Sequence, residues 1–290
     1  MKRLRFRYEL DLKWDQAVWD HHFLIRCLPV ENGCQHREAL DVRIEPAETI
    51  DVVRDGFGNE GYAGAIRRPH DRLFFEAKGV VQVDRSGETE PFHPMYRFPS
   101  AYTMPDEGIR QFFGEIGKEL GMESVSEGLG PVQEEPFVSG APRLAPQREH
   151  EKGRISQSKL EYVMNRLYGR FVYMPGATTV KTTAAEALSL GQGVCQDYAH
   201  VFISLCRLAG VPARYAAGMM LGEGASHAWA EVWLFDQWLG MDPTNNRIVD
   251  ETYIKLTHGR DFGDGAIDRG CFLGFAGQSQ EISVKVEEIL

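Results

Sequence analysis

The sequence contains no long hydrophobic run. No window of its 290 residues approaches the roughly 20 consecutive apolar residues that a membrane-spanning helix needs. The first ten residues, MKRLRFRYEL, alternate charged with apolar side chains and lack the continuous apolar stretch of a secretory signal peptide. We therefore expect a soluble protein in the cytoplasm that does not associate with membranes.

The chain also lacks an excess of basic residues. It has 32 Lys and Arg residues against 42 Asp and Glu residues, which gives a formal net charge of -10. Neutralising phosphates requires clustered basic side chains, so we do not expect a nucleic-acid partner.

The five cysteines are an odd number spread over a long chain and do not indicate a disulfide framework. Reduced thiols are expected instead.

The sequence is long enough for about two domains, at roughly 150 residues per domain. Its 43% of hydrophobic and 26% of charged residues are ordinary globular usage. Between residues 4 and 83, short runs alternate apolar with polar residues, and turn-forming segments such as DGFGN at residues 55–59 separate them. This pattern predicts a β-rich, β-sandwich-like domain over residues 1–100.

Residues 101–154 are predicted to form a connector. Much of the proline and glycine of the chain falls between residues 91 and 151, and such composition is typical of exposed segments. A weakly helical stretch over residues 106–120 interrupts it. We expect the remainder of the connector to be exposed and mobile.

From residue 155 onward the pattern becomes helical first and strand-like afterwards. A capping box at residues 158–161 (SKLE) begins one helix, and TAAE at residues 183–186 begins a second that Gly191 closes. A third helix follows and ends before Gly210. The order predicts an α+β fold, with a second domain over residues 155–290 that ends in a C-terminal strand. Strands are expected at residues 213–221, 226–235 and 237–242.

One cysteine occupies a position that suits a nucleophile. Cys195 falls in the first turn of the third helix, directly after the glycine-flanked segment GQGV at residues 191–194. A thiol attacks an acyl carbon as thiolate, and the unpaired N–H groups and positive dipole end of a helix N-terminus favour that anion. The Cys195 N–H could also be one oxyanion donor. The alternative is an ordinary buried cysteine, which is our interpretation of Cys206 further along the same helix.

The base is chosen by geometry. At roughly 100° per residue, His200 lies about 140° around the helix from Cys195, so we interpret it as a structural histidine. His227 begins a strand and shares one face with Trp229 and Glu231, while the alternating apolar residues occupy the other face. A strand histidine is often structural as well, so the assignment of His227 depends on a third residue.

That third residue follows from treating the last two strands as a hairpin with a two-residue turn at Phe235 and Asp236. Thr244 then lies opposite His227, and Asp242 is the diagonal neighbour of His227 on the same face. A carboxylate there would hold the imidazole's tautomer and stabilise its protonated form, as a thiolate–imidazolium pair requires. The alternative role for Asp242 is turn formation before a proline.

Three further residues are candidates for contacts with the substrate. Gln192 and Tyr173 are candidates for the second oxyanion donor, and Trp229 either lines the cleft or packs inside the protein. Two cysteines and a histidine in the first domain could imitate a metal cluster, but their spacing matches no zinc pattern, so no metal ion is expected. Those three residues are Cys27, Cys34 and His36.

Four ordered segments carry these residues: GVCQDYAH at 193–200, PARY at 212–215, SHAWAEV at 226–232 and DPTN at 242–245. Together they closely resemble the bacterial transglutaminase-like proteins, whose Cys, His and Asp fall on Cys195, His227 and Asp242. The likeness continues at GRDFGD, residues 259–264, and covers about residues 155–265. The first half is similar to the β-rich domain often attached to these proteins, most clearly at residues 55–59.

The resemblance implies a papain-like core that forms a thioester with a peptide or protein amide substrate. Water then gives hydrolysis, whereas an amine gives crosslinking. We predict a cysteine peptidase or amidase that uses no metal or organic cofactor, because the sequence has no loop of EF-hand type for calcium. The alternatives are a protein-glutamine transglutaminase and a non-catalytic binding module that retains the fold.

Overall fold

The computed structural model describes residues 1–120 and 155–289. Within them, no helix combines the length and apolar character needed to cross a membrane. The predicted helix over residues 106–120 is observed, whereas most of the connector that we expect to be mobile lies outside the described residues.

The described elements fall into three groups along the chain. The first group is β1 (Lys2–Ile25), β2 (Gln35–Glu45), β3 (Thr49–Arg54), β4 (Glu60–Ile66) and β5 (His70–Val83). The second is a 3-10 helix (Pro94–Arg97), α1 (Glu107–Glu119), α2 (Gln157–Arg170), β6 (Val172–Tyr173), α3 (Ala184–Leu190), β7 (Gln192–Gly193) and α4 (Cys195–Leu208). The third is β8 (Ala213–Met220), β9 (Gly222–Gly224), β10 (His227–Leu234), β11 (Gln237–Asp242), β12 (Arg247–Ile248), β13 (Tyr253–Gly259), α5 (Phe262–Gly265), β14 (Asp268–Leu273) and β15 (Gln278–Ile289).

Strand β1 organises the β-rich part of the molecule. Its alternate side chains Leu4, Phe6, Tyr8 and Leu10 are buried, because successive residues of a strand point to opposite faces. Its first half pairs with β5 and β15, and its second half pairs with β4 and β14. Register shifts between the halves, with a positive φ at Asp20, redirect the strand. The predicted β-rich N-terminal part is thereby confirmed.

The last strands of the chain complete this first sheet. Strand β15 pairs antiparallel with β1 from Arg3↔Ile289 to Trp14↔Gln278. The predicted second domain over residues 155–290 includes these strands, because local pattern cannot reveal pairing between opposite ends of the chain. Strand β15 also pairs with β9, where Gly224 lies opposite Val284. The β8–β10 connection, which leads directly to His227, is therefore attached to the β-rich sheet.

The helix boundaries differ from prediction at one place. Helix α2 starts two residues early, because Ser156 rather than Ser158 is its N-cap and its side chain accepts a hydrogen bond from the Lys159 N–H. The predicted capping box of α3 is observed, and Gly191 closes that helix at a φ of 67°. This left-handed conformation is one that glycine adopts at low cost.

A second, five-stranded sheet carries the C-terminal half, in the order β12-β11-β10-β8-β13. Helix α4 packs on β8 and β10 of this sheet. The buried apolar residues of α4, such as Phe202 and Leu205, join Ala228, Ala230 and Val232 of β10 in one core. Helix α4 is thereby fixed against the strand that begins at His227.

The hairpin of β10 and β11 has the predicted register. Phe235 and Asp236 both have positive φ, 53° and 61°, as a two-residue turn of this kind requires. Paired positions run from Leu234↔Gln237 to Ala230↔Met241. The backbone therefore brings Asp242 toward His227, as the sequence predicts.

The polar face of β10 is buried as well. Glu231 accepts a hydrogen bond from Arg214 Nε at 2.6 Å and lies 3.2 Å from Lys255 Nζ. Glu90, from the segment after β5, pairs with the same two cations. Burial raises the pKa of Glu231, but the charges of Arg214 and Lys255 more than offset this and lower it. These paired charges join the segment after β5 to the second sheet.

Candidate active site

The candidate nucleophile begins helix α4. Val194 is the N-cap residue and Cys195 follows it as the first helical residue. The Asp197 carboxylate accepts hydrogen bonds from the Val194 N–H at 2.8 Å and from Thr178 Oγ1 at 2.6 Å. These bonds fix the backbone that enters the helix. The half-buried thiol of Cys195 thus lies in the turn whose N–H groups lack intrahelical acceptors.

The candidate base lies between the thiol and a carboxylate. His227 Nε2 is 2.8 Å from Asp242 Oδ2, and the side chain of Cys195 is near enough to raise the pKa of the His227 ring. Only 13% of the His227 side chain is exposed. Burial by itself lowers the pKa of His227, but the hydrogen bonds and negative charges of Asp242 and Cys195 raise it to about 9. At neutral pH this environment favours the imidazolium.

The carboxylate of Asp242 is fully buried and well hydrogen-bonded. Its Oδ1 accepts from the backbone N–H groups of Thr244 and Asn245 at 3.0 and 3.2 Å. Its Oδ2 accepts from the Asn245 side chain at 2.7 Å and from the Tyr253 hydroxyl at 2.8 Å. Burial raises the pKa of Asp242, but His227 and these other donors lower it below its usual value. The carboxylate therefore stays ionised beside the imidazole.

The other histidine near the cysteine in sequence does not join this group. His200 is fully buried, and its Nε2 accepts a hydrogen bond from the Phe262 N–H at 3.0 Å. Its ring also stacks on Tyr102. Burial lowers the pKa of His200 to about 3, so it remains neutral. Its burial and its hydrogen bond agree with the structural role that the helix geometry predicts for His200.

The described residues contain no group of three or more His, Cys, Asp or Glu side chains placed to hold a metal ion. Cys34 instead donates to the backbone oxygen of Gly87, and Cys27 is fully buried. Cys206 is also fully buried, and burial raises the pKa of its thiol. Cys195 differs from these thiols in its position at the start of α4 and in its effect on a histidine, because it raises the pKa of His227.

Two family models match separate parts of the chain. Residues 144–243, which contain Cys195, His227 and Asp242, match the family model for the transglutaminase-like superfamily. Residues 4–82 match the model for the bacterial transglutaminase-like N-terminal region. An uncharacterized protein of Mycobacterium tuberculosis is 31% identical over 283 residues, covering 90% of this chain and 85% of that protein. The chain belongs to the transglutaminase-like superfamily.

Two further proteins are similar over different shares of the chain. A structure from Cytophaga hutchinsonii, described as that of a candidate cysteine protease, has a TM-score of 0.72 and 20% identity. It covers 100% of this chain and 92% of that one, and at this identity it shows the shared fold alone. The protein-glutamine gamma-glutamyltransferase of Pseudomonas aeruginosa is 32% identical over 111 residues, only 31% of this chain and 17% of that enzyme.

The three residues predicted to contact the substrate of this transglutaminase-like chain differ in how far they are exposed. Tyr173 is 53% exposed and pairs with Gly193 across β6 and β7. Burial raises the pKa of Tyr173, and the charge of Cys195 raises it further. Gln192 is half-buried in the same strand pair. Trp229 is fully buried and packs edge-on against Tyr253, so it has no surface to offer a substrate and serves packing.

Sequence reasoning missed three residues that support the site. Asp197 holds the entry to α4, and Asn245 and Tyr253 hold Asp242. The turn that carries Asn245 could have been found, because an Asp side chain in a turn often bonds to the backbone two residues on, as Asp242 does with the Thr244 N–H. Tyr253 gives no local signal, because its contact depends on the position of β13 beside β8 in the sheet.

Proposed function

We propose that this protein is a thiol acyl-transfer enzyme that hydrolyses a peptide or protein amide through Cys195, His227 and Asp242. One observation carries the proposal: His227 Nε2 is hydrogen-bonded to Asp242 Oδ2 at 2.8 Å, and Cys195, at the start of α4, is near enough to raise the pKa of the same ring. A nucleophile, a base and a group that orients the base are the arrangement that nucleophilic acyl transfer needs.

The chemistry follows from this arrangement in two steps. The Cys195 thiolate bonds to the amide carbon and the carbonyl electron pair moves to oxygen, where the Cys195 N–H can donate to it. When the carbonyl re-forms, the amine leaves with the proton of the His227 imidazolium, and a thioester remains. Water then attacks the thioester while neutral His227 takes its proton. Departure of the carboxylic acid restores the thiolate and the imidazolium.

Thiol labelling tests the proposal without a known substrate. Iodoacetamide at pH 7 should alkylate Cys195 at least about tenfold faster than the exposed Cys271, because the neighbouring His227 can accept the proton of the thiol. His227→Ala should slow labelling of Cys195 about tenfold or more, and mass spectrometry of tryptic peptides would assign each adduct. His22→Ala, on an exposed position of β1, is the matched control and should change nothing. Equal labelling rates for Cys195 and Cys271 would favour a non-catalytic binding module.

A second candidate function is protein-glutamine transglutamination. The partial identity to the Pseudomonas aeruginosa gamma-glutamyltransferase favours it. The two functions share the thioester and differ in whether water or an amine resolves it. With a glutamine-containing peptide and a fluorescent primary amine, a hydrolase should release glutamate peptide as the main product, and we expect this result. Predominant incorporation of the amine would instead establish the transglutaminase.

A further inference from the structure

Asp242 accepts more hydrogen bonds than its oxygens can serve well. The imidazole of His227, the Tyr253 hydroxyl and the Asn245 side chain all approach Oδ2, at 2.8, 2.8 and 2.7 Å. The backbone N–H groups of Thr244 and Asn245 approach Oδ1. An ionised carboxylate offers about four lone-pair sites, roughly two on each oxygen. The oxygen that faces His227 is therefore shared among three donors.

Sharing has a definite electrostatic consequence. Each donor that bonds to Oδ2 draws negative charge toward itself, and so weakens the attraction that the same oxygen exerts on the imidazolium. At the same time, the donors fix the direction of the carboxylate. The same contacts therefore have two opposing effects. They fix the orientation of His227 through Asp242, and they reduce the stabilisation of its cationic form.

The two side-chain donors are held independently of His227. Tyr253 is fully buried, with Trp229 against its ring edge-on and the Arg247 guanidinium over its face at 5.3 Å. Asn245 lies in the turn after β11, where its own backbone bonds to Asp242. Tyr253 has no exposed surface, so it acts through Asp242 rather than on a substrate.

We propose that Tyr253 and Asn245 are positioning residues that hold Asp242 Oδ2 and, by sharing it, limit how strongly this oxygen binds the His227 imidazolium. The proposal rests on the proposed function, in which His227 must both keep and release a proton. In the described part of the chain, the charged and titratable groups around His227 are Cys195 from α4, Asp242 from β11 and Tyr253 from β13, with Arg247 and Asp250 beside the tyrosine.

The test is an NMR titration of the full-length protein labelled at histidine, with Tyr253→Phe and Asn245→Ala compared to wild type. Wild-type His227 should titrate at about 9. Each variant should raise this midpoint by about half a pH unit, because one competing donor is removed from Oδ2. Tyr62→Phe, which removes a hydroxyl from β4 in the other sheet, is the matched control and should leave the midpoint unchanged.

The outcomes separate this inference from the proposed function. A raised midpoint in each variant that folds supports the positioning role, and an unchanged or lowered midpoint in either one overturns it. If Tyr253→Phe fails to fold, Asn245→Ala decides alone, because that residue lies at the surface of the turn. The titration needs no substrate and is read separately from activity. Absence of acyl-transfer activity in the wild-type protein would contradict the proposed function, while raised midpoints in the variants would still show that Tyr253 and Asn245 share Asp242 Oδ2 with His227. In an active protein, the alkaline limit of kcat/KM should rise in parallel.

Discussion

Cys195→Ala should abolish acyl-enzyme formation. With p-nitrophenyl acetate as acyl donor, the wild-type protein should release a burst of nitrophenolate and retain one acetyl group as a thioester. The variant should show no burst, and its turnover of an amide substrate should fall about 10⁴-fold or more, because water is then the remaining nucleophile. Rapid-mixing absorbance and intact-protein mass spectrometry measure the two quantities.

The matched control for this variant is Cys271→Ser. Cys271 is exposed on β14, in the β-rich sheet, and its loss should leave both the burst and the turnover unchanged. Helix α4 should survive the Cys195 substitution, because alanine favours helices and the side chain is only half-buried. A full burst from Cys195→Ala, or an acetyl group found on another thiol, would contradict the proposed nucleophile.

The parts of the site that could be predicted from sequence are those set by local geometry. The turn at Phe235 and Asp236 determines the register of β10 and β11, and that register brings His227 and Asp242 to one end of the hairpin. The position of Cys195 likewise follows from a helix start that glycines precede. Both are short-range features, in which backbone preference and hydrophobic period agree.

The parts that could not be predicted depend on contacts between distant segments. Strand β15 pairs with β1 from the opposite end of the chain, and its alternation of apolar and polar residues does not reveal which strand it pairs with. Tyr253 lies on β13, which pairs with β8, and β8 and β11 flank β10 on opposite sides. The contact of Tyr253 with Asp242 therefore depends on the order of the strands in the sheet. For the same reason Trp229, which shares a strand face with His227, is buried rather than presented to a cleft. Alternation along a strand predicts which face of the sheet a side chain occupies. Tertiary packing decides whether other residues cover that face.

Asp242→Asn should lower kcat/KM by about 10²- to 10⁴-fold at pH 8 while the protein stays folded. The amide is similar in size to the carboxylate and can still accept the backbone bonds of the turn. It carries no charge to stabilise the His227 imidazolium, and its NH₂ group can face Nε2 and favour the wrong tautomer. Steady-state kinetics with the same amide substrate would measure the loss, and circular dichroism would verify the fold.

The pH dependence distinguishes this electrostatic role of Asp242 from a merely structural one. Asp242 helps to raise the pKa of His227 from 6.5 to about 9, so the interaction is fully present below pH 6.5 and is lost as pH rises through about 9. In Asp242→Asn the alkaline limit of kcat/KM should therefore move down toward 6.5, and the deficit should be largest between these values. Asp236→Asn removes one charge from the same hairpin and should shift nothing. A uniform loss at every pH, with the alkaline limit unmoved, would show that Asp242 does not stabilise the charge of the imidazolium.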